Sequence, residues 1–176
     1  MTGVRRVVAG VSGSPGSLQA LRHAAGLARE HAAALIVVLA WIPPGGEIAD
    51  RRCPSIQLRR VWAEAAWKRL WDSVDVALGG VPDDVIFEAH VLRGQPREML
   101  VGCADEGDLL VIGAGRRGQP GRLLACRVGS YCIAHARCPV IAVPPSELAP
   151  LSHGLRGWAR RHRRLHLSES ELSSDF

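Results

Sequence analysis

The sequence predicts an α/β protein: a five-stranded parallel sheet with helices on both faces and strand order 3-2-1-4-5. Three observations predict it. Short runs of valine, isoleucine and leucine alternate along the chain with segments whose apolar residues recur at helical spacing. Most of these runs are apolar throughout, the mark of strands covered on both faces. The first and fourth runs each end in a glycine-rich loop, and in this strand order those loops flank the crevice where the winding direction switches.

The first strand is VRRVVAGV, residues 4–11, followed by the turn SGSPGS. Ser17 is the expected cap of a helix over residues 18–31, on which Leu18, Leu21, Ala25 and Ala28 share a face. ALIVVLAW, residues 34–41, is the second strand, and PPGGEIADRRCPS after it reads as a loop. A long helix is expected over residues 55–78, with Leu58, Val61, Trp62, Ala65, Ala66, Leu70, Val74 and Ala77 as its apolar stripe. Trp67 and Trp71 widen that stripe as packing or interface residues. VIFEAHVLRG, residues 85–94, alternates and reads as a third strand nearer an edge, with His90 an ordinary strand histidine. Pro96 sits in the first turn of a short helix; LLVIGAG is the fourth strand. A helix over residues 123–135 and the short strand PVIAV complete the pattern.

The domain expected from this pattern spans residues 1–145. Residues 146–176 form a tail, basic at RGWARRHRRLH and then acidic and serine-rich. Its composition suits a solvated, flexible segment, and Leu151, Leu155, Trp158 and Leu165 leave open a helix that docks on a partner.

The chain has 176 residues, 47% of them hydrophobic, and a formal net charge of +5. The longest apolar run, residues 32–42, is too short to cross a bilayer, and the N-terminus enters a strand almost at once. A cytoplasmic protein is expected. Lys68 is the only lysine among 22 basic residues, and the arginines fall on most segments. That dispersion, with 5% aromatic residues, argues against nucleic-acid binding. Cys53, Cys103, Cys126, Cys132 and Cys138 show no CxxC or zinc-ligand spacing and read as free thiols. A redox role for Cys126 and Cys132, six apart and near Cys138, stays open.

Three stretches, VVAGVSGSPGSLQALRHAAGLA, VLRGQPREML and VIGAGRRGQPGRLLACRVGSYCIAHARCPVIAV, together resemble the universal stress protein family over residues 5–143. The resemblance implies a Rossmann-like fold of the adenine nucleotide alpha hydrolase type. It also implies a homodimer formed through the last strand and, in many members, an ATP site. ATP-binding members carry Gly-x-x-Gly, nine residues, then Gly followed by Ser or Thr. Glycines let the backbone approach the phosphates, and hydroxyls and helix-terminal amides bind their oxygens. Registered on HARCPVIAV, Gly113 matches the first glycine, but Arg116, Cys126 and Arg127 stand at the other three positions. A register from Gly115-x-x-Gly118 to Gly129-Ser130 has ten intervening residues and breaks the downstream alignment, so it is rejected. The aspartate that such members carry after the first strand is here Ser12, which accepts a hydrogen bond but brings no charge.

The resemblance thus implies a crevice formed by Gly10, Val11 and Ser12, by Ala40, by Ile112, Gly113, Gly115 and Arg116, and by Cys126, Arg127 and Val128. Its ligand would be an adenine nucleotide, ATP with Mg²⁺ in the first instance. Arg116 and Arg127, with Arg117 and Arg122, suit phosphate through their planar fork of donors. Against this, arginine at a positive-φ glycine position costs about 1 kcal/mol, and Cys126 adds bulk where an amide would meet phosphate. An empty crevice therefore remains an alternative.

Gly10-x-x-Gly13-x-x-Gly16 does not have dinucleotide-fingerprint spacing, no GxxxxGK[ST] occurs, and no nucleophile–base pair is recognisable. Asp83, Asp84, Asp105, Glu106 and Asp108 read as ordinary charges at turns and strand starts, and His135 as a helix C-terminal contact. The expected function is non-enzymatic stress signalling or protection through the crevice. The alternative is a nucleotide-independent interaction module that meets a protein partner through its dimer surface or tail.

Overall fold

The computed structural model describes residues 3–52, 54–114 and 122–145; residues 49 and 122–127 are described by their backbone alone. The chain divides into two units, Met1–Ser146 and Glu147–Phe176. The second, and with it the expected tail, lies outside the described residues.

The elements run β1 (Arg6–Gly10), α1 (Pro15–His31), β2 (Ala34–Trp41), α2 (Gly46–Arg52), α3 (Ile56–Leu78), β3 (Phe87–Arg93), α4 (Pro96–Cys103), β4 (Asp108–Gly113), α5 (Arg122–His135) and β5 (Val140–Val143). All strand pairs are parallel, and the sheet order is β3-β2-β1-β4-β5. The expected fold is therefore the observed one.

Two cores cover the two faces. On one face α1 and α3 bury Leu21, Ala24 and Leu70 against Val7, Val37 and Val111. On the other, Leu100 of α4 and Cys132 of α5 close over Val8, Val38 and Leu110. Burial of the central strands from both sides is why their sequences do not alternate. β3, an edge strand paired only with β2, does alternate.

Three local expectations are corrected. α1 starts one turn earlier than expected: Ser14, not Ser17, is its N-cap, accepting from the Ser17 amide. Pro15 enforces this start, because its fixed φ suits the first helical turn and its missing N–H costs nothing there. The expected loop after β2 contains α2, launched from Gly45 and Gly46 at φ of 83° and 82°. Finally, Leu58 and Val61, expected in the buried stripe of α3, are 49% and 56% exposed. The buried residues of α3 begin at Ala66, because its first half stands beyond the carboxyl edge of the sheet. Trp67 and Trp71 stack at 6.3 Å between centroids, and Trp71 lies 6.2 Å from Phe87 on the β3 edge.

At the amino edge of the sheet a charge is buried. Asp108 opens β4 with a fully buried side chain, facing its register partner Arg6 of β1. Arg6 Nε donates to both carboxylate oxygens at 3.1 and 3.2 Å, and the Asp105 amide donates at 2.8 Å. Burial alone would raise the Asp108 pKa. The Arg6 and Asp105 hydrogen bonds, with the charges of Arg6 and Arg5, outweigh it and hold the carboxyl below its ordinary range. This corrects the reading of Asp108 as an ordinary strand-start charge. Asp84 is likewise tied down, bridging to Arg29 of α1.

Candidate functional site

The carboxyl ends of β1 and β4 lie side by side, in register from Arg6↔Asp108 to Ala9↔Val111. From there the chain leaves in opposite senses: β1 feeds α1 on one face, and β4 precedes α5 on the other. Two neighbouring parallel strands that diverge in this way open a crevice at the switch point.

The β1 side is described in full. A side chain on Gly10 would press on the ends of the Leu100 and Ile112 side chains at 3.0 and 3.4 Å, where β1 passes α4. The Val11 amide still donates to Val38 at 2.9 Å; the backbone turns away only after it. Ser12 is exposed and its hydroxyl lies 3.0 Å from Ser14 Oγ and 3.3 Å from Ser17 Oγ, while its amide donates to Ser17 Oγ. Ser17 Oγ in turn donates to the Ser14 carbonyl at 2.9 Å. The three serines thus bond one another and fix the turn, with Ser12 and Ser14 exposed and Ser17 buried. Gly13 holds φ of 78°, a left-handed conformation that favours glycine.

Ala40 is half-buried on β2, two residues past Val38, the partner of Gly10, which sets it about 7 Å farther along the carboxyl edge. On the β4 side a Cβ on Gly113 would meet the Gly16 carbonyl carbon at 2.6 Å and the Ser17 amide at 2.8 Å. The end of β4 therefore abuts the start of α1 backbone to backbone. Only glycine permits this, which is the physical content of the one family position that Gly113 retains.

The structure brings Gly10, Val11, Ser12, Ala40, Ile112 and Gly113 together at this edge. Val11 and Ile112 are 5% and 3% exposed, so their side chains belong to the two cores, and only their backbone can meet a ligand. Val128 packs its side chain against the α4/α5 core. Gly115 and Arg116 lie outside the described residues, as do the side chains of Cys126 and Arg127. The backbone of these last two lies in the second turn of α5, which begins at Arg122, one residue before the expected start of that helix.

Near the carboxyl edge, α2 is pinned by charge, a feature the sequence reading missed. Asp50 is buried and accepts from Arg59 Nε at 2.9 Å and from Arg93 at 2.6 Å; Arg93 also reaches Glu47 at 2.6 Å. The Arg59 hydrogen bond, outweighing burial and aided by Arg93, holds the Asp50 carboxyl below its ordinary range. The only signal in sequence was a set of opposite charges at residues 47, 50, 59 and 93, too far apart to pair by pattern.

The described thiols are not activated. Cys103, Cys132 and Cys138 are free, and burial pushes all three pKa values up, that of Cys132 to about 11. Thiols held protonated at neutral pH are poor nucleophiles. His135 Nδ1 meets the Tyr131 carbonyl at 2.9 Å, the expected contact at a helix C-terminus.

With this geometry in place the comparisons can be read. The universal stress protein family model matches residues 3–144. This chain belongs to the universal stress protein family. Among solved structures, it is similar to the universal stress protein UspA from Lactobacillus plantarum, at 21% identity and a TM-score of 0.59, covering 81% of this chain and 99% of that one. It is similar to a universal stress protein solved in complex with cAMP, at 27% identity and a TM-score of 0.51, covering 82% and 99%. A third likeness is the Archaeoglobus fulgidus universal stress protein in complex with dAMP, at 23% identity and a TM-score of 0.51, covering 81% and 99%. The first and third support the fold alone. A search of the curated proteins finds no match. Among the described residues no helix is long and apolar enough to cross a membrane.

Proposed function

We propose that this universal stress protein is a non-enzymatic, cytoplasmic binding protein whose crevice takes an adenine nucleotide, and that occupancy carries a stress signal. One observation carries the reading: β1 and β4 end side by side at the switch point, and Gly113 lets the end of β4 abut the β1–α1 turn. The 27% identical relative solved with cAMP supports an adenylate as the ligand class. ATP would bring Mg²⁺ on its phosphates, since Asp50, the buried carboxylate near this edge, is already committed to two arginines.

A binding role suits the chemistry of the described residues. Asp50 and Asp108 are held ionised by arginine, the three described thiols are held protonated, and among the described residues no acid–base pair stands at the crevice. We further propose a homodimer through β5, whose outer edge has no strand partner in the sheet. A second reading, a nucleotide-independent interaction module, is favoured by Ile56, Leu58 and Val61, which stand exposed on the free half of α3.

The test is calorimetric titration of the purified protein with ATP·Mg²⁺, AMP and cAMP. Micromolar binding of any of the three supports the crevice reading. Absence of binding up to millimolar ligand removes it and leaves the interaction module.

A further inference from the structure

Beside the crevice stands a cation that neither glycine-rich loop supplies. Arg69 lies midway along α3, where that helix passes the β1–α1 turn. A side-chain carbon placed on Gly13 would lie 3.5 Å from Arg69 Cγ and 3.6 Å from its Cδ. The stem of Arg69 therefore runs along the bare backbone of Gly13, the residue after Ser12. Its position is fixed locally, since Ser73 Oγ donates to the Arg69 carbonyl at 2.7 Å and sits 3.9 Å from the same point on Gly13.

The other basic residues of α3 are engaged. Arg59 pairs with Asp50, Arg60 with Glu64 and Lys68 with Asp72. Arg69 is exposed and, among the described residues, makes neither an ion pair nor a side-chain hydrogen bond. An exposed guanidinium whose stem lies against the β1–α1 turn, with no ion-pair partner among the described residues, is suited to receive an anion.

We propose that Arg69 is a specificity-determining residue that binds the phosphate of the crevice ligand, so that the site selects phosphorylated adenosine over adenosine itself. The inference rests on the nucleotide reading above and deepens it.

The experiment titrates wild type, Arg69→Gln and Arg69→Lys with ATP·Mg²⁺ and, separately, with adenosine, after thermal melts confirm that the variants are folded. Arg69→Gln is expected to weaken ATP about tenfold, the equivalent of one charge-assisted hydrogen bond, and to leave adenosine within about twofold. Arg69→Lys, which keeps the charge but not the fork, falls between. If ATP and adenosine weaken equally, Arg69 acts on the fold of the site and the assignment is overturned. If ATP binds the variant and wild type alike, the assignment is overturned while the nucleotide reading stands. If wild type binds neither compound, both fall.

Discussion

Arg6 and Asp108 join the two strands whose loops make the crevice, and removing one partner is predicted to differ sharply from removing the other. Arg6→Met leaves the Asp108 carboxylate fully buried, with the Asp105 amide at 2.8 Å and Arg5 at 4.0 Å as its remaining partners. Stranding a buried charge costs about 3–5 kcal/mol, and the two surviving contacts place this case near about 3. Asp108→Asn removes the buried partner of Arg6, but Arg6 keeps the Asp105 carboxylate at 3.4 Å, is 37% exposed and rehydrates, and the asparagine oxygen still accepts from the Asp105 amide. The expected cost is about 1–2 kcal/mol. Urea unfolding at pH 7 measures both, and thermal melts should place Arg6→Met roughly 6–12 °C below wild type. The pH dependence has a definite sign. In wild type the folded Asp108 pKa is depressed, so its contribution is present above the unfolded value of about 3.9 and is lost as pH falls through the lower folded value. In Arg6→Met, burial without the partner raises that pKa above the unfolded value, so the penalty grows as pH rises and fades on acidification. The gap between the two proteins should therefore shrink from pH 7 towards pH 3. An Arg6→Met cost below about 1 kcal/mol, or one smaller than that of Asp108→Asn, would refute the reasoning.

Three further outcomes are expected. Ala32 caps α1 at φ of 51°, so Ala32→Gly should relieve about 1 kcal/mol and raise Tm by roughly 2–4 °C in a melting experiment. Gly113→Ala would place a methyl 2.6 Å from the Gly16 backbone, and should cost about 1–3 kcal/mol in urea unfolding and disturb the crevice even where the protein folds. Asp50→Asn should loosen α2 from Arg59 and Arg93 without melting the sheet, read as limited proteolysis accelerated by roughly tenfold between β2 and α3. In wild type the same loosening should appear only as pH falls below the ordinary carboxylate pKa of about 3.9, because the folded Asp50 value is depressed.

The sheet was legible because a central parallel strand must be apolar on both faces, and runs such as ALIVVLAW have few other uses. In the expected strand order the glycine-rich ends of β1 and β4 are neighbours at a switch point, as observed. The start of α3 was legible to within a residue: the helix begins at Ile56, and Ser55 Oγ caps it by accepting from the Leu58 amide. What escaped was set by tertiary partners. Asp108 looks like any charge before a strand until Arg6, more than a hundred residues away, is placed opposite it. α2 has no apolar period of its own and is held by Asp50 through residues on α3 and β3. The first half of α3 has the pattern of a buried stripe, yet the sheet beneath it has ended. At the site, Gly113 was identified by motif and its reason is now steric. Cys126 and Arg127, placed by the same motif, fall within α5.

The most direct test of nucleotide binding at the switch point is an amide chemical-shift map of ¹⁵N-labelled protein titrated with ATP·Mg²⁺. Shifts concentrated at Ser12, Gly13, Ala40 and Gly113, with the Asp105–Asp108 edge unmoved, are predicted. Shifts centred on that amino edge or on the exposed start of α3, or none at millimolar ATP, would contradict it.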